Sequence, residues 1–345
     1  MNLPSAIATA IGSMPQADPA EACAIITRYL SSIPVWPQLP RRSFLENMYA
    51  QYSEGFPGVV IQGERIYVDT SRDLAQPLEK LYQAYLENDF EHYGITPGYA
   101  AGLHAFLSSK VKPEVAVKGQ VTGPISWGLA VTDQDRRPLA YDEVLSDAIA
   151  RHLRLKAAWL EATLKSVCPH TVIFIDEPYL ASLGSAFVSL PPQKVRALLE
   201  EVLGGIKGLK GIHCCGNTDW ALLLETGIDI LNFDAYNYAR SLSLYPEQVD
   251  TFLKRGGAIA WGIVPSDEEL LSGENVDSLV KRLDAAMGLL ADKGVSRDAL
   301  REQCLITPSC GLGSLSEATS VRALELTAGV SAKLRGASVG SPRLP

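Results

Sequence analysis

"TVIFIDEP", residues 171–178, sets four consecutive apolar side chains ahead of two acids and a proline. A strand with one wet face alternates polar and apolar residues, whereas an unbroken apolar run is what a parallel strand covered on both faces requires. Seven further short runs are rich in Ile, Val and other apolar residues with little sustained alternation: "AIATAIGS" (6–13), "IPVWPQL" (33–39), "EVAVKGQVTG" (114–123), "KGIHCCGN" (210–217), "IDILNFDAY" (228–236), "AIAWGIVP" (258–265) and "CLITPSCG" (304–311). Between them lie segments with apolar residues three and four apart, at 19–30, 141–167, 192–203, 275–294 and 316–336, as amphipathic helices demand. Strand–helix alternation repeated eight times predicts an α/β fold, a (β/α)8 TIM barrel forming one domain over residues 1–336. One insertion interrupts the rhythm after the second run: a helix, then a hairpin turning at Gly63-Glu64, then helices over 71–110. Residues 337–345, "ASVGSPRLP", read as a flexible tail.

Composition narrows the function. The 345 residues are 47% hydrophobic and 20% charged, with a formal charge of −8 and no Lys/Arg block. That balance argues against nucleic acid or an anionic membrane as partner, since both call for a basic surface. The start lacks the basic and apolar regions of an export signal, and no apolar run reaches the roughly 18 residues of a membrane span. The six cysteines therefore read as the reduced thiols of a cytoplasmic protein.

"KGIHCCGN" concentrates two of those cysteines and one of five histidines. Alternate residues on a strand share a face, so His213 and Cys215 point one way and Cys214 the other. Taken alone, Cys214-Cys215 reads as buried thiols beside a core histidine. Cys310, in "PSCGLG", ends the eighth run, and barrel closure lets the fifth and eighth strand ends meet over the mouth. Together His213, Cys215 and Cys310 predict a zinc site, with Asp234 at the end of the sixth run as an oxygen donor; a Cys2His set with an exchangeable position is a catalytic pattern. Cys23, Cys168 and Cys304 read as packing, and His92, His104, His152 and His170 as surface or helix residues. Asp176 and Glu177 end the fourth strand; a carboxylate there can anchor a substrate ammonium or cap a helix. Gly12-Ser13, ending the first run, could hold a carboxylate or simply turn the chain.

In order along the chain, "AIGSMPQ", "VKGQVTGP", "IDEP", "HCC" and "PSCGLG" resemble the motifs of the C-terminal catalytic barrel of cobalamin-independent methionine synthase and its uroporphyrinogen decarboxylase-like relatives. The His-x-Cys with a distant Cys-Gly-Leu is the specific part. This resemblance implies a zinc methyltransferase acting on homocysteine, with His213, Cys215 and Cys310 as ligands. Asp234 stands where the family has a Glu ligand. Gly12 and Ser13 fall at the homocysteine carboxylate, Asp176 at its ammonium, as the candidate catalytic residue, and Glu46, in "FLENMY", is a further substrate contact.

Two departures direct the choice of methyl donor. The chain carries one barrel where the folate enzyme has two. Its loop after the seventh run, "GIVPSDEE", lacks the His that the family's folate users employ to protonate a leaving nitrogen. A methylcorrinoid needs no such acid, so the chain is similar to the short core methionine synthases, taking its methyl group from methylcobalamin or a corrinoid protein. No Asp-x-His-x-x-Gly corrinoid motif is present, which places the corrinoid on a partner or free in solution. Transfer to coenzyme M or another small thiol, and a non-catalytic zinc barrel that docks a corrinoid protein, stand as alternatives.

Overall fold

Thr171–Asp176 is buried at all six positions, as its unbroken apolar run requires. The computed structural model describes residues 3–185 and 188–336; the expected tail at 337–345 lies outside them. The described strands are β1 (Ile7–Ala8), β2 (Val59–Gln62), β3 (Arg65–Val68), β4 (Val117–Thr122), β5 (Thr132–Asp133), β6 (Thr171–Asp176), β7 (Leu209–Cys214), β8 (Ile230–Phe233), β9 (Ala258–Val264) and β10 (Cys304–Pro308). Seven of them form one curled parallel sheet in the order β1-β10-β9-β8-β7-β6-β4. The result is an α/β fold consistent with a TIM-like barrel.

The second apolar run departs from expectation. It forms no continuous strand and instead links the two sheet edges through single bridges, Ser13 with Gln38 and Val35 with Lys118. Pro34 and Pro37 supply the reason, because a proline has no N–H to offer a ladder. The Gln38 N–H still reaches the Gly12 carbonyl at 3.0 Å and the Lys118 N–H the Pro34 carbonyl at 2.9 Å.

The two-residue period sorts side chains into two cores. Val172, Phe174, Ile230, Ala260 and Leu305 pack with Ile7 and Ile33 inside the curl. Their alternates Ile173, Ile175, Ile212, Cys214, Leu231, Ile259 and Ile306 join the larger core under the helices. Continuing the inner rows toward the strand C-termini leads from these apolar residues to Asp176, His213 and Asn232, which are register neighbours across β6, β7 and β8. Lys118 is also inside, fully buried, with its ammonium donating to the Ile11 carbonyl at 2.8 Å and lying 4.3 Å from the Phe174 ring centre.

Residues 44–108 build a wall beside the mouth. They comprise the turns Phe44–Glu46 and Met48–Gln51, the antiparallel pair β2–β3, and the helices Ala75–Glu87 and Ala101–Ser108. The helix Glu143–Leu164 pins this wall from within: its His152 Nε2 bonds the Tyr52 carbonyl at 2.9 Å, and Lys156 Nζ donates to the carbonyls of Tyr93 and Gly94. His152 is therefore a helix residue, one of the two places expected for it, and within that helix a buried anchor.

The Thr-Gly-Pro and Asp-Glu-Pro motifs explain each other. Asp176 is the last inward residue of β6, and Glu177 turns toward the helix Pro124–Ala130, where its carboxylate accepts from the N–H groups of Ile125 (2.9 Å) and Ser126 (2.7 Å) and the Ser126 hydroxyl (2.6 Å). A Cβ at Gly123 would lie 2.2 Å from that carboxylate, which is why the residue is glycine. Of the two acids, Glu177 is thus the structural one. Burial pushes its carboxyl up to about 7 despite these bonds. Because that exceeds the ordinary value of 4.5, its contribution to stability is full below pH 4.5 and is lost as pH rises through about 7. Glu177→Ala orphans two buried N–H groups and should cost about 2–4 kcal/mol in denaturant unfolding while flattening the pH dependence across that window. A change below about 0.5 kcal/mol would remove Glu177 from this role.

Candidate metal centre

A ring nitrogen of His213 and the sulfurs of Cys215 and Cys310 lie within 4.8 Å of one another, the group among the described residues whose geometry suits a metal ion. A tetrahedral zinc with bonds of about 2.0–2.3 Å separates its ligands by roughly 3.3–3.8 Å, so closing on an ion needs only small side-chain adjustments. The donors come from the end of β7 and the turn after β10.

Asn232 decides which imidazole nitrogen is available. Its fully buried amide donates from Nδ2 to the Ala260 carbonyl and to the Thr307 hydroxyl, both at 2.8 Å. Oδ1 must therefore accept, and it lies 2.5 Å from His213 Nδ1. That nitrogen carries the proton, which leaves the Nε2 lone pair facing the cysteines, buried and without a partner. An orphaned imidazole nitrogen beside two thiols is the donor set that zinc prefers. A hydrogen bond from Cys310 holds the Cys215 thiol well below its ordinary range, and the same bond pushes Cys310 up.

A cavity of about 290 Å³ opens over this cluster, lined also by Ser13, Gln38, Glu46, Asn47, Met48, Asp176 and Pro178. Two carboxylates face it with one oxygen unpartnered, Asp176 Oδ1 and Glu46 Oε2. Burial pushes Asp176 up to about 6, against the pull of His213 and Lys118. Burial likewise raises Glu46, whose other oxygen pairs with Arg42 at 2.7 Å. Ser13 packs onto the turn carrying Cys310: its hydroxyl accepts from the Gly313 N–H at 3.3 Å, and a Cβ at Gly311 would lie 2.1 Å from it.

Six of the eight expected residues thus meet at one cavity: Ser13, Glu46, Asp176, His213, Cys215 and Cys310. Gly12 lies outside its lining. Asp234 is not in the three-donor cluster; it caps the helix Ala235–Leu242, accepting from the Asn237 N–H at 3.0 Å and from Asn237 Nδ2 at 2.7 Å. Gln38 and Asn232 went unread in the sequence. The one signal for Asn232 is an amide in the middle of the apolar run "ILNF". Asn232→Leu keeps the branched shape but frees the imidazole, and should weaken zinc binding by about 10–100-fold in chelator competition; unchanged affinity would show that the amide does not set the ligand.

No protein-family model matches the chain. Over 208 residues it is 24% identical to a methionine synthase from Methanocaldococcus jannaschii, a stretch covering 60% of this chain and 61% of that one. Among solved structures, a B12-independent methionine synthase from Shewanella sp. W3-18-1 in complex with selenomethionine aligns over 97% of this chain and 98% of its own, with a TM-score of 0.59 and 16% identity. A methyltransferase from Methanosarcina mazei aligns over 95% and 93%, with a TM-score of 0.56 and 13% identity. At those identities the structural likeness speaks for the fold. The chain is thus a relative in sequence of a methionine synthase and in fold of two methyl-transfer proteins, which agrees with the family its motifs resemble.

Proposed function

We propose that the protein is a zinc-dependent methyltransferase built on a (β/α)8 barrel, moving a methyl group from methylcobalamin or a corrinoid protein to homocysteine and releasing methionine. The observation that carries this reading is the three-donor cluster at the floor of a cavity whose walls hold unpartnered carboxylate oxygens. Its sequence relative, named a methionine synthase, supports methyl transfer as the reaction class.

His213, Cys215 and Cys310 would hold the ion, which supplies a Lewis acid that brings a thiol below its ordinary pKa of about 8.5. Asp234 is the proposed fourth donor. It is near enough to feel the charges of Cys215 and His213, and a carboxylate that caps a helix keeps lone pairs to spare. Asp176 and Glu46 accept from the substrate ammonium, and Ser13, with the Gly12 turn behind it, donates to its carboxylate. Holding both ends of the amino acid fixes the sulfur for in-line attack, and the small cavity keeps water from the transferring methyl.

Two features select among alternatives. The cavity lining contains no Lys or Arg among the described residues, so the sulfonate of coenzyme M would find no cation, whereas an ammonium finds two acids. His213 is also the one imidazole there, and the loop after β9 places Ser266 and Asp267 beside Ser309 and a helix start, with no imidazole to protonate a leaving nitrogen. Both favour an amino-acid acceptor and a corrinoid donor.

Purified zinc-loaded protein given homocysteine should form methionine with methylcobalamin or a methylated corrinoid protein. Product from methyltetrahydrofolate alone would overturn the donor, and tight zinc with no transfer from any donor would favour a non-catalytic barrel. Cys310→Ser should lose zinc and turnover together; a variant retaining both rejects the site.

A further inference from the structure

The backbone of Gln38 is locked beside Ser13. Its N–H donates to the Gly12 carbonyl at 3.0 Å, and its own carbonyl accepts from the Met14 N–H at 2.8 Å. Pro37 and Pro40 stiffen the chain around it. The Gln38 side chain lines the acceptor cavity together with Glu46 and Asp176.

A relay of amides fixes which end of that side chain is left for a ligand. Gln51, fully buried, donates from Nε2 to the Tyr99 carbonyl at 2.7 Å. A carbonyl only accepts, so the oxygen of Gln51 is the end presented to Gln38, and Gln38 Nε2 donates to it at 2.7 Å. Turning the Gln38 amide over would set two oxygens against each other. Its Oε1 is therefore the end turned away from Gln51, and among the described residues no donor bonds it.

Three acceptors short of a donor thus belong to residues lining one cavity: Gln38 Oε1, Glu46 Oε2 and Asp176 Oδ1. A primary ammonium carries three N–H groups and no acceptor, so each hydrogen has an oxygen to meet. Ser13 is of the opposite kind, because its hydroxyl accepts from the Gly313 N–H and keeps its own proton to donate. An amide also supplies the third acceptor without charge, whereas a third carboxylate would add to the cost of burial.

We propose that Gln38 determines the specificity of the acceptor site, its Oε1 taking the third N–H of an ammonium that Glu46 and Asp176 also hold. The site therefore selects a thiol that carries a primary amine over one whose amine is methylated or missing. This inference rests on the amino-acid reading of the acceptor and adds the residue that discriminates within it.

Binding of homocysteine, N-methylhomocysteine and desamino-homocysteine is measured by calorimetry on the full zinc-loaded chain without a methyl donor. Wild type should bind homocysteine about ten-fold more tightly than either analogue. Gln38→Met removes the oxygen at similar length; it should weaken homocysteine about ten-fold and hold the desamino analogue within about two-fold. Gln51→Met leaves the cavity lining intact but lets the Gln38 amide turn, and should weaken homocysteine about three-fold with the desamino analogue again unmoved. In turnover, the KM of Gln38→Met for homocysteine should rise more than its kcat falls. Desamino-homocysteine bound by wild type as tightly as homocysteine overturns the amino-acid acceptor itself. A wild type that prefers homocysteine, with Gln38→Met keeping the same preference, overturns the role of Gln38 alone. N-methylhomocysteine bound as well as homocysteine overturns the cradle of three acceptors.

Discussion

One buried amide organises the mouth of the barrel. Asn232 lies on β8, reaches β7 through His213, β9 through the Ala260 carbonyl and β10 through the Thr307 hydroxyl. A carbonyl can only accept, so the bond to Ala260 settles which end of the amide is nitrogen, and that settles which imidazole nitrogen bears the proton. The free lone pair on Nε2 follows from a chain of donors and acceptors that starts at backbone. The same bonds fasten four neighbouring strands where their loops diverge, so the ligand geometry and the register of the sheet are one constraint.

The neighbouring acids divide their work by the pleat of the strand. Asp176 faces the inner row beside His213, and Glu177, one residue on, serves the start of the helix Pro124–Ala130. Gly123 and Gly311 are the complementary half of this arrangement. Each leaves out a side chain where a functional group must come close, the Glu177 carboxylate in one case and the Ser13 hydroxyl in the other. The short motifs around them are contact pairs between distant segments, which is why each is only suggestive by itself.

The cavity is electrostatically lopsided. Asp176, Glu46 and Cys215 bring negative charge to a space whose nearest buried cation, Lys118, is occupied by a carbonyl and an aromatic face. Burial raises both carboxyls, and it outweighs Arg42 at Glu46 and Lys118 at Asp176. Such a site gains most from positive ligands, a divalent ion at its floor and an ammonium at its wall. A single choice of charge thus suits both the metal and the ammonium of the proposed function.

The sequence by itself determined what local geometry dictates. Runs rich in apolar residues marked the strands of the parallel sheet, and the two-residue period put His213 with Cys215 and sent Cys214 into the helix-side core. Those are properties of neighbouring residues on a pleated chain, and they can be read wherever the chain is extended. Tertiary structure alone decided the rest. Prolines reduced the second run to two bridges; Asp234 took a helix cap beyond the three-donor cluster; Asn232 found His213; and an inserted wall pinned by His152 brought Glu46 to the cavity. Each of these depends on strand register and on the path of a loop through space, and spacing along the chain carries neither.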